Sequence, residues 1–390
     1  MSANREILKD ALVGRYGATQ IDEKEIEKVT EVLSKKELFR YDTVCSKTDL
    51  LEKSLCEFYG KEYALALCNG SAALKAALVA LEVKAGDEVL VTPYTFIATV
   101  NSIISIGAVP VFVDIDETLS LNLKDAERKM SDKTKAMITV HIQGDGTDVQ
   151  SEKAFCEKYN IVLIEDCAQA FGSKVKGEFV GSAGSIGCFS LQANKLVTCG
   201  EGGFLLTSSQ GYYQKARNFQ DQGGNREVDS FANWDNPMAL FGENLKITEL
   251  QSAVALAQVE KANGFIQKLR NNRKKIQDSL GNHTKGYRIR KCVDALGSNG
   301  VAIPFIADTA EERKRIVDYL EANDVPVICL YDELIYEFEL YQNGKDHWKA
   351  SSADCKVAED LKTRMFWVLN SLNYTENEVE YIIKVLKEIN

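Results

Sequence analysis

The chain has 390 residues, 45% of them hydrophobic and 27% charged, with a net charge of −10 at pH 7. That length and balance can bury a sizeable core in one large and one smaller domain, while the acidic surplus argues against a nucleic-acid partner, whose phosphates need clustered Lys and Arg. The opening run Met1-Ser-Ala-Asn-Arg-Glu lacks an apolar signal core and no stretch approaches ~18 uninterrupted apolar residues, so the expectation is a cytoplasmic protein without a membrane partner.

In chain order, residues 22–34 have helical spacing, with Asp22 as N-cap and Glu25 completing a capping box. The loop Leu38-Phe39-Arg40-Tyr41 follows, then an amphipathic helix over 50–59 and a short strand over 63–67. That strand runs into Cys68-Asn69-Gly70-Ser71-Ala72-Ala73-Leu74 and a helix to residue 81. A small-residue turn entering a helix offers unpaired N–H groups and the positive end of the helix dipole, which suits a phosphate and equally suits an ordinary helix start. A strand over 89–92 leads to the turn 93–99, whose Phe96 reads either as core or as a stacking surface. Strands over 109–116 and 134–141, separated by a helix over 123–130, continue the alternation that gives a mostly parallel sheet with right-handed crossovers. The second of them ends at His141-Ile142-Gln143-Gly144.

A helix over 150–159 leads to Asn160-Ile-Val-Leu-Ile-Glu165-Asp166-Cys-Ala-Gln169, an apolar strand ending in two carboxylates and a glutamine. Open α/β sheets place ligand contacts beyond that carboxyl edge. Two further apolar runs, 186–191 and 204–207, flank a loop holding Lys195 and Gly200-Glu201-Gly202-Gly203. The glycines permit close backbone approach, and apolar walls lower a lysine pKa until its amine becomes nucleophilic. A lysine for a Schiff base and an acid for a pyridinium nitrogen form the kit of a pyridoxal-phosphate (PLP) enzyme. Glu165 and Glu201, beside these motifs, read as solvated or turn-capping carboxylates.

Past that loop come a helix over 211–219, a polar loop over 220–237 and Phe241-Gly242-Glu243-Asn244-Leu245-Lys246, which opens a helix through about residue 263. From about residue 268 the pattern is a smaller α+β unit, with a helix to 280, strands near 301–306 and 325–330 around another helix, and a last helix over 376–389. Tyr331 and Tyr336 lie there without a decisive motif. The ten cysteines show no C-x-x-C pair and read as reduced, buried small hydrophobes. Three histidines, His141, His283 and His347, are too few for a histidine-rich metal site, and no metal is expected.

On these motifs the chain resembles the DegT/StrS-type family of sugar aminotransferases, from about Ala18 to the C-terminus. The resemblance implies an α/β fold of the aspartate-aminotransferase type I (PLP-dependent transferase) class, with an N-terminal arm and large domain over 1–265 and a small α+β domain over 266–390. It implies PLP held by Lys195 as a Schiff base, Asp166 at the pyridine nitrogen, Phe96 on the ring, and Gly70, Ser71 and Ala72 at the phosphate. Gln169 and Ser190 match family positions touching the cofactor 3′-oxygen and phosphate. Asn244 matches an asparagine that reaches the phosphate of the adjoining subunit, which implies a homodimer with shared sites. The Arg40-Tyr41 arm is implied to lie near the active site, in the version seen with cyclitols or sugars not linked to nucleotides. Four positions depart from the family pattern: Asn69 and Ser71 replace a serine and a threonine, Gln143 replaces a tyrosine, and Lys246 replaces an arginine. The implied activity is ping-pong transfer of an amino group from glutamate or glutamine to a keto group of a sugar, octulosonate or cyclitol. The alternative is a nucleotide-linked keto sugar. A dehydratase of the same fold carries histidine where Lys195 stands, and a non-catalytic regulator should lack the set.

Overall fold

The computed structural model describes residues 14–226, 230–235, 237–281, 285–344 and 354–389. The N-terminal run, His283 and His347 lie outside them. The large sheet is built from β1 (Tyr63–Leu67), β2 (Glu88–Val91), β3 (Val109–Phe112), β4 (Thr134–Val140), β5 (Val162–Asp166), β8 (Ile186–Ser190) and β9 (Gly203–Thr207), in the order β1-β9-β8-β5-β4-β2-β3. Strands β3, β2, β4, β5 and β8 pair in parallel, and only the β8–β9 and β9–β1 pairs are antiparallel. Two-residue strands β6 (Lys174–Val175) and β7 (Glu178–Phe179) form a separate hairpin.

Around this sheet lie α1 (Glu23–Lys35), α2 (Lys47–Tyr59), α3 (Gly70–Ala80), α4 (Ile97–Ser105), α5 (Leu123–Lys129), α6 (Val149–Tyr159), α7 (Gln210–Gln220) and α8 (Glu249–Leu280). Both faces of the sheet are covered, so its strands read as continuous apolar runs rather than alternating ones. Val89 and Val91 feed one core and Leu90, between them, feeds the other. The Asp22–Glu25 capping box stands as the sequence indicates. Helix α4, by contrast, replaces part of the expected 93–99 turn. Its N-cap is Phe96, which supplies no side-chain cap, and its residues are largely apolar, so neither a start signal nor a clear polar face announced it.

A second, four-stranded antiparallel sheet contains β10 (Tyr287–Ile289), β11 (Ala302–Ala307), β13 (Met365–Leu369) and β12 (Val327–Ile328), in that order. Helices α9 (Ala310–Ala322), α10 (Glu339–Asn343), α11 (Lys356–Arg364) and α12 (Glu376–Lys387) accompany it. The two helices read at 249–263 and 268–280 are one, α8, of 32 residues. Asn263-Gly264 reads as a stop, yet the buried Phe265, Ile266 and Leu269 carry the helix through it, since tertiary packing overrides a local cost of about 1 kcal/mol for glycine. Strand β13, a bare run of five apolar-rich residues after a polar helix, went unread although it is central to the small sheet.

The two sheets are joined by a buried ionic cluster. Asp145, just beyond β4, contacts Arg273 of α8 at 2.8 Å and Arg290, just after β10, at 2.7 Å. All three side chains are buried. The guanidiniums also donate to carbonyls, Arg273 to Ala302 and Arg290 to Thr118. Removing one member of such a cluster leaves charge buried without a partner, which costs far more than a surface pair. Asp145→Ala should therefore lower stability by about 3–5 kcal/mol, measured as a drop in the thermal midpoint, whereas removing Glu31 from its exposed pair with Lys35 should change it little.

Candidate active site

The large sheet delivers its functional side chains at one edge. Val140, Asp166 and Ser190 are the last residues of the parallel strands β4, β5 and β8, and all three line a cavity of about 640 Å³. Strand β1 is antiparallel to β9, as is β8, so β1 ends at the same edge and passes directly into α3. Asn69 caps α3 by accepting the N–H of Ala72 at 2.8 Å. Gly70 and Ser71, the first two helical residues, have no intrahelical acceptor for their N–H groups and line the cavity. Ala72 does not reach it: the residue is buried and its N–H is taken by Asn69. Gly70 and Ser71 thus stand at the cavity, and Ala72 stands behind them with its N–H on the Asn69 cap.

Lys195 sits in the β8–β9 connection, half-buried and lining the cavity. The loop around it is pinned by Leu191 N–H to the Gly202 carbonyl at 2.8 Å and Cys199 N–H to the Leu191 carbonyl at 3.0 Å. A segment from far upstream adds a third tie, Gly17 N–H to the Lys195 carbonyl at 3.1 Å. Burial holds the Lys195 amine below its ordinary value, with the charge of Asp166 pulling the other way. Asp166 is buried and accepts from Thr99 Oγ1 at 2.7 Å and from the Ala168 N–H at 3.1 Å. Burial raises its pKa, opposed by those hydrogen bonds and by Lys195.

The neighbouring carboxylate behaves oppositely. Glu165 is fully buried, not solvated, and accepts the N–H groups of Gly181, Ala183 and Gly184 at 2.7, 2.8 and 2.6 Å. Burial pushes its pKa up, but His141 and these amides outweigh it, and the net direction is down. The Thr147 backbone N–H donates to His141 Nδ1 at 3.1 Å, so Nδ1 must be the acceptor and Nε2–H donates to Glu165 at 3.0 Å. His141, Glu165 and Cys167 lie within metal-ligand reach of one another. Both Glu165 oxygens are already engaged by the protein, so the cluster reads as a structural clamp.

Gln169 and Phe96 also line the cavity, with Phe96 60% exposed at its mouth. Glu201 and Gln143 line it too. Asn244 does not: it is exposed and forms a bridge with Asp221, and Lys246 is bonded to the Asp221 carboxylate at 2.5 Å. Arg40 is likewise absent from this cavity, buried instead against Glu52 and Asp49 at 3.0 Å each. Sequence reasoning passed over Thr99 and Tyr16, and it named Tyr331 only within a substrate-facing segment without a decisive motif. For Thr99 a signal existed, since it stands three residues after Phe96 at the helical spacing that puts both on one face. Tyr16 and Tyr331 come from distant segments and had none.

Residues 19–387 match the sequence model of the DegT/DnrJ/EryC1/StrS aminotransferase family. The chain belongs to this family. Among its relatives, the GDP-perosamine synthase of Escherichia coli O157:H7 is 34% identical over 343 residues, covering 86% of this chain and 88% of that one. A putative L-glutamine:3-amino-2,3-dideoxy-scyllo-inosose aminotransferase of Micromonospora echinospora is 36% identical over 204 residues, covering 52% of this chain and 48% of that one. The crystallographic aminotransferase of Psychrobacter cryohalolentis superposes with a TM-score of 0.85 at 27% identity, covering 95% and 97%. This family member is therefore a PLP-dependent aminotransferase of the type I fold.

The residues present fit that cofactor. A buried carboxylate whose burial disfavours its charge is stabilised by a pyridinium N–H, a helix start with open N–H groups suits the phosphate, and a partly desolvated lysine suits the aldehyde. Among the described residues no helix is long and apolar enough to cross a membrane. The amine reacts only when neutral, so in cofactor-free protein Lys195 should be labelled by an amine reagent with an inflection below the ordinary lysine value. Asp166→Asn removes the charge that favours the ammonium, and the inflection should move lower still. Movement upward, read by pH-dependent labelling and peptide mapping, would contradict the assigned causes.

Proposed function

We propose that this aminotransferase takes an amino group from glutamate or glutamine and delivers it to a keto group of a sugar, octulosonate or cyclitol, both half-reactions sharing one site. The observation that carries this reading is the convergence of Lys195, Asp166 and the open start of α3 on one cavity. Similarity to a cyclitol aminotransferase supports the unlinked acceptor. A nucleotide-linked keto sugar is the second reading, favoured by similarity over 88% of the length of GDP-perosamine synthase. We place the protein in the cytoplasm, with the chain divided near 265/266 into large and small units and α8 running across that border.

The chemistry the cofactor supplies when bound is an aldehyde that accepts the amino group and a ring that stores the electrons released at the donor Cα. Lys195 Nζ, whose desolvation favours the neutral amine, takes the proton from the donor Cα and returns one to the acceptor carbon. Asp166 holds the proton on the pyridine nitrogen, and Thr99 fixes the carboxylate that does so. Gly70, Ser71 and Ser190 would hold the phosphate, and Phe96 and Gln169, which line the same cavity, would contact the ring and 3′-oxygen. Asp166→Asn should retain cofactor yet slow each half-reaction on the order of 10²- to 10³-fold. The test is single-turnover absorbance with glutamate, followed by a screen of keto-inositol, keto-octulosonate and nucleotide-linked keto-sugar acceptors; wild-type protein that transfers to none of them would end the reading.

The exposed Asn244 is part of the same proposal. It supports a homodimer in which Asn244 completes the phosphate site of the adjoining subunit. Lys195→Ala and Asn244→Ala chains, each nearly inactive, should complement when dissociated and reassembled together. Random pairing makes half the dimers mixed, each with one intact site, so activity should recover to about a quarter of wild type. Tagged chains verify exchange; exchange without recovery would assign Asn244 to its own subunit.

A further inference from the structure

Two residues with left-handed backbones converge on the side chain of Gln169. Gln143, at φ +49°, donates its backbone N–H to Gln169 Oε1 at 3.0 Å, and Tyr331, at φ +56°, lies 2.9 Å from Gln169 Nε2 through its hydroxyl oxygen. A backbone N–H only donates, so Oε1 is the acceptor and the amide orientation of Gln169 is fixed. The amide nitrogen therefore donates to Tyr331, which leaves the hydroxyl proton of Tyr331 without an acceptor among the described residues. That proton belongs to a group lining the cavity.

The ring is gripped from the other side. Tyr94, buried in the loop before α4, meets Tyr331 edge-on at 5.1 Å between centroids and donates its own hydroxyl to the Leu330 carbonyl at 2.8 Å. Non-glycine residues hold φ > 0 when surrounding contacts over-determine them, and such positions gather at ligand-contacting segments. Burial raises the Tyr331 pKa, so its hydroxyl stays protonated and serves as a donor, not a base.

We propose that Tyr331 is an acceptor-binding residue, whose hydroxyl, oriented by Gln169 and Tyr94, donates a hydrogen bond to an oxygen of the polyhydroxylated keto substrate. This rests on the function proposed above and names the side chain that recognises that substrate class. It also gives the small-sheet side of the cavity a direct part in substrate choice, since Tyr331 follows β12 closely.

The test compares holoenzymes of wild type, Tyr331→Phe and Tyr331→His, with L-glutamate as donor and a keto-inositol or a GDP-linked 4-keto-6-deoxyhexose as acceptor. Tyr331→Phe keeps the ring against Tyr94 and should raise the acceptor KM roughly three- to tenfold, while the glutamate half-reaction and the absorption spectrum of the bound cofactor stay within twofold and unshifted. Tyr331→His, which restores a ring N–H donor, should recover part of the acceptor KM and stands in should the Phe variant not accumulate. An unchanged acceptor KM in a folded variant overturns the proposal. So does a shifted spectrum with both half-reactions slowed together, which would mean that Tyr331 acts only through Gln169. Wild-type protein that transfers to no polyhydroxylated keto compound removes the function reading itself, and this assignment with it.

Discussion

Gly203 opposes two strand ends at once, Ser190 of β8 and Leu67 of β1, because β9 runs antiparallel between them. A Cβ at that position would lie 2.4 Å from the carbonyl carbon of Asn69 and 2.6 Å from the Gly70 nitrogen, closer than real contacts allow. One at Gly70 would lie 2.9 Å from Ser190 Cβ. The start of α3 is thus drawn directly against the end of β8, and the lysine loop leaves from the same place. Any side chain at Gly203 would push the helix start outward and separate its open N–H groups from Ser190. The rest of the cavity is arranged around that close approach: the helix start proposed to hold the phosphate is fixed there, and the carboxylate and the amine are set relative to it by the strands in between.

Within that frame, two adjacent residues of one strand are sent in opposite electrostatic directions. Period-two alternation turns Glu165 and Asp166 to opposite faces of β5. Glu165 meets three amides and an imidazole N–H, enough donors to keep a buried carboxylate charged. Asp166 meets one hydroxyl and one amide, and its charge is left under-compensated. A group in that condition has free-energy reason to take up a cationic N–H, which the clamped neighbour lacks. The proposed role at the cofactor therefore falls to Asp166, while Glu165 holds the loop 181–184 and His141 around it.

The parts legible in the sequence were those whose information is local. The apolar runs with glycine-bounded ends gave the strands of the large sheet, and the Lys195 loop, the Glu165-Asp166 pair and the Asn69-Gly70-Ser71 turn each carry their residues within a few positions. The parts that escaped depend on contacts between distant segments. Helix α4 starts at Phe96, which supplies no side-chain cap, and its polar face rests on only Asn101 and Ser105, so little local signal sets it apart from the turn before it. The continuity of α8 past Asn263-Gly264 comes from packing on both sides of the border. Tyr331 reaches Gln169 across 162 positions, and no spacing rule connects them. The cap on Ala72 is likewise a side-chain detail that the turn motif does not announce: Asn69 takes the Ala72 N–H at 2.8 Å.

The position of Lys195 also depends on segments that carry no chemistry. Gly17 is packed so closely that a Cβ would meet the Leu196 carbonyl at 2.7 Å, and its N–H holds the Lys195 carbonyl. One residue before it, the buried Tyr16 donates its hydroxyl to the Val301 carbonyl at 2.8 Å, at the entry to β11. A few positions later, Gln20 donates to Asn373 at 2.7 Å. The segment 16–20 is therefore a strap held on the small-sheet side through Tyr16 and Gln20, with Gly17 between them on the lysine loop. Tyr16 and Gly17 thus tie the entry to β11 to the carbonyl of Lys195. The opposite wall has its own tie, since Tyr94 holds the Leu330 carbonyl beside Tyr331. The small sheet is thus coupled to both walls of the cavity, and the Asp145 cluster, buried between the sheets, sets the register in which both ties close.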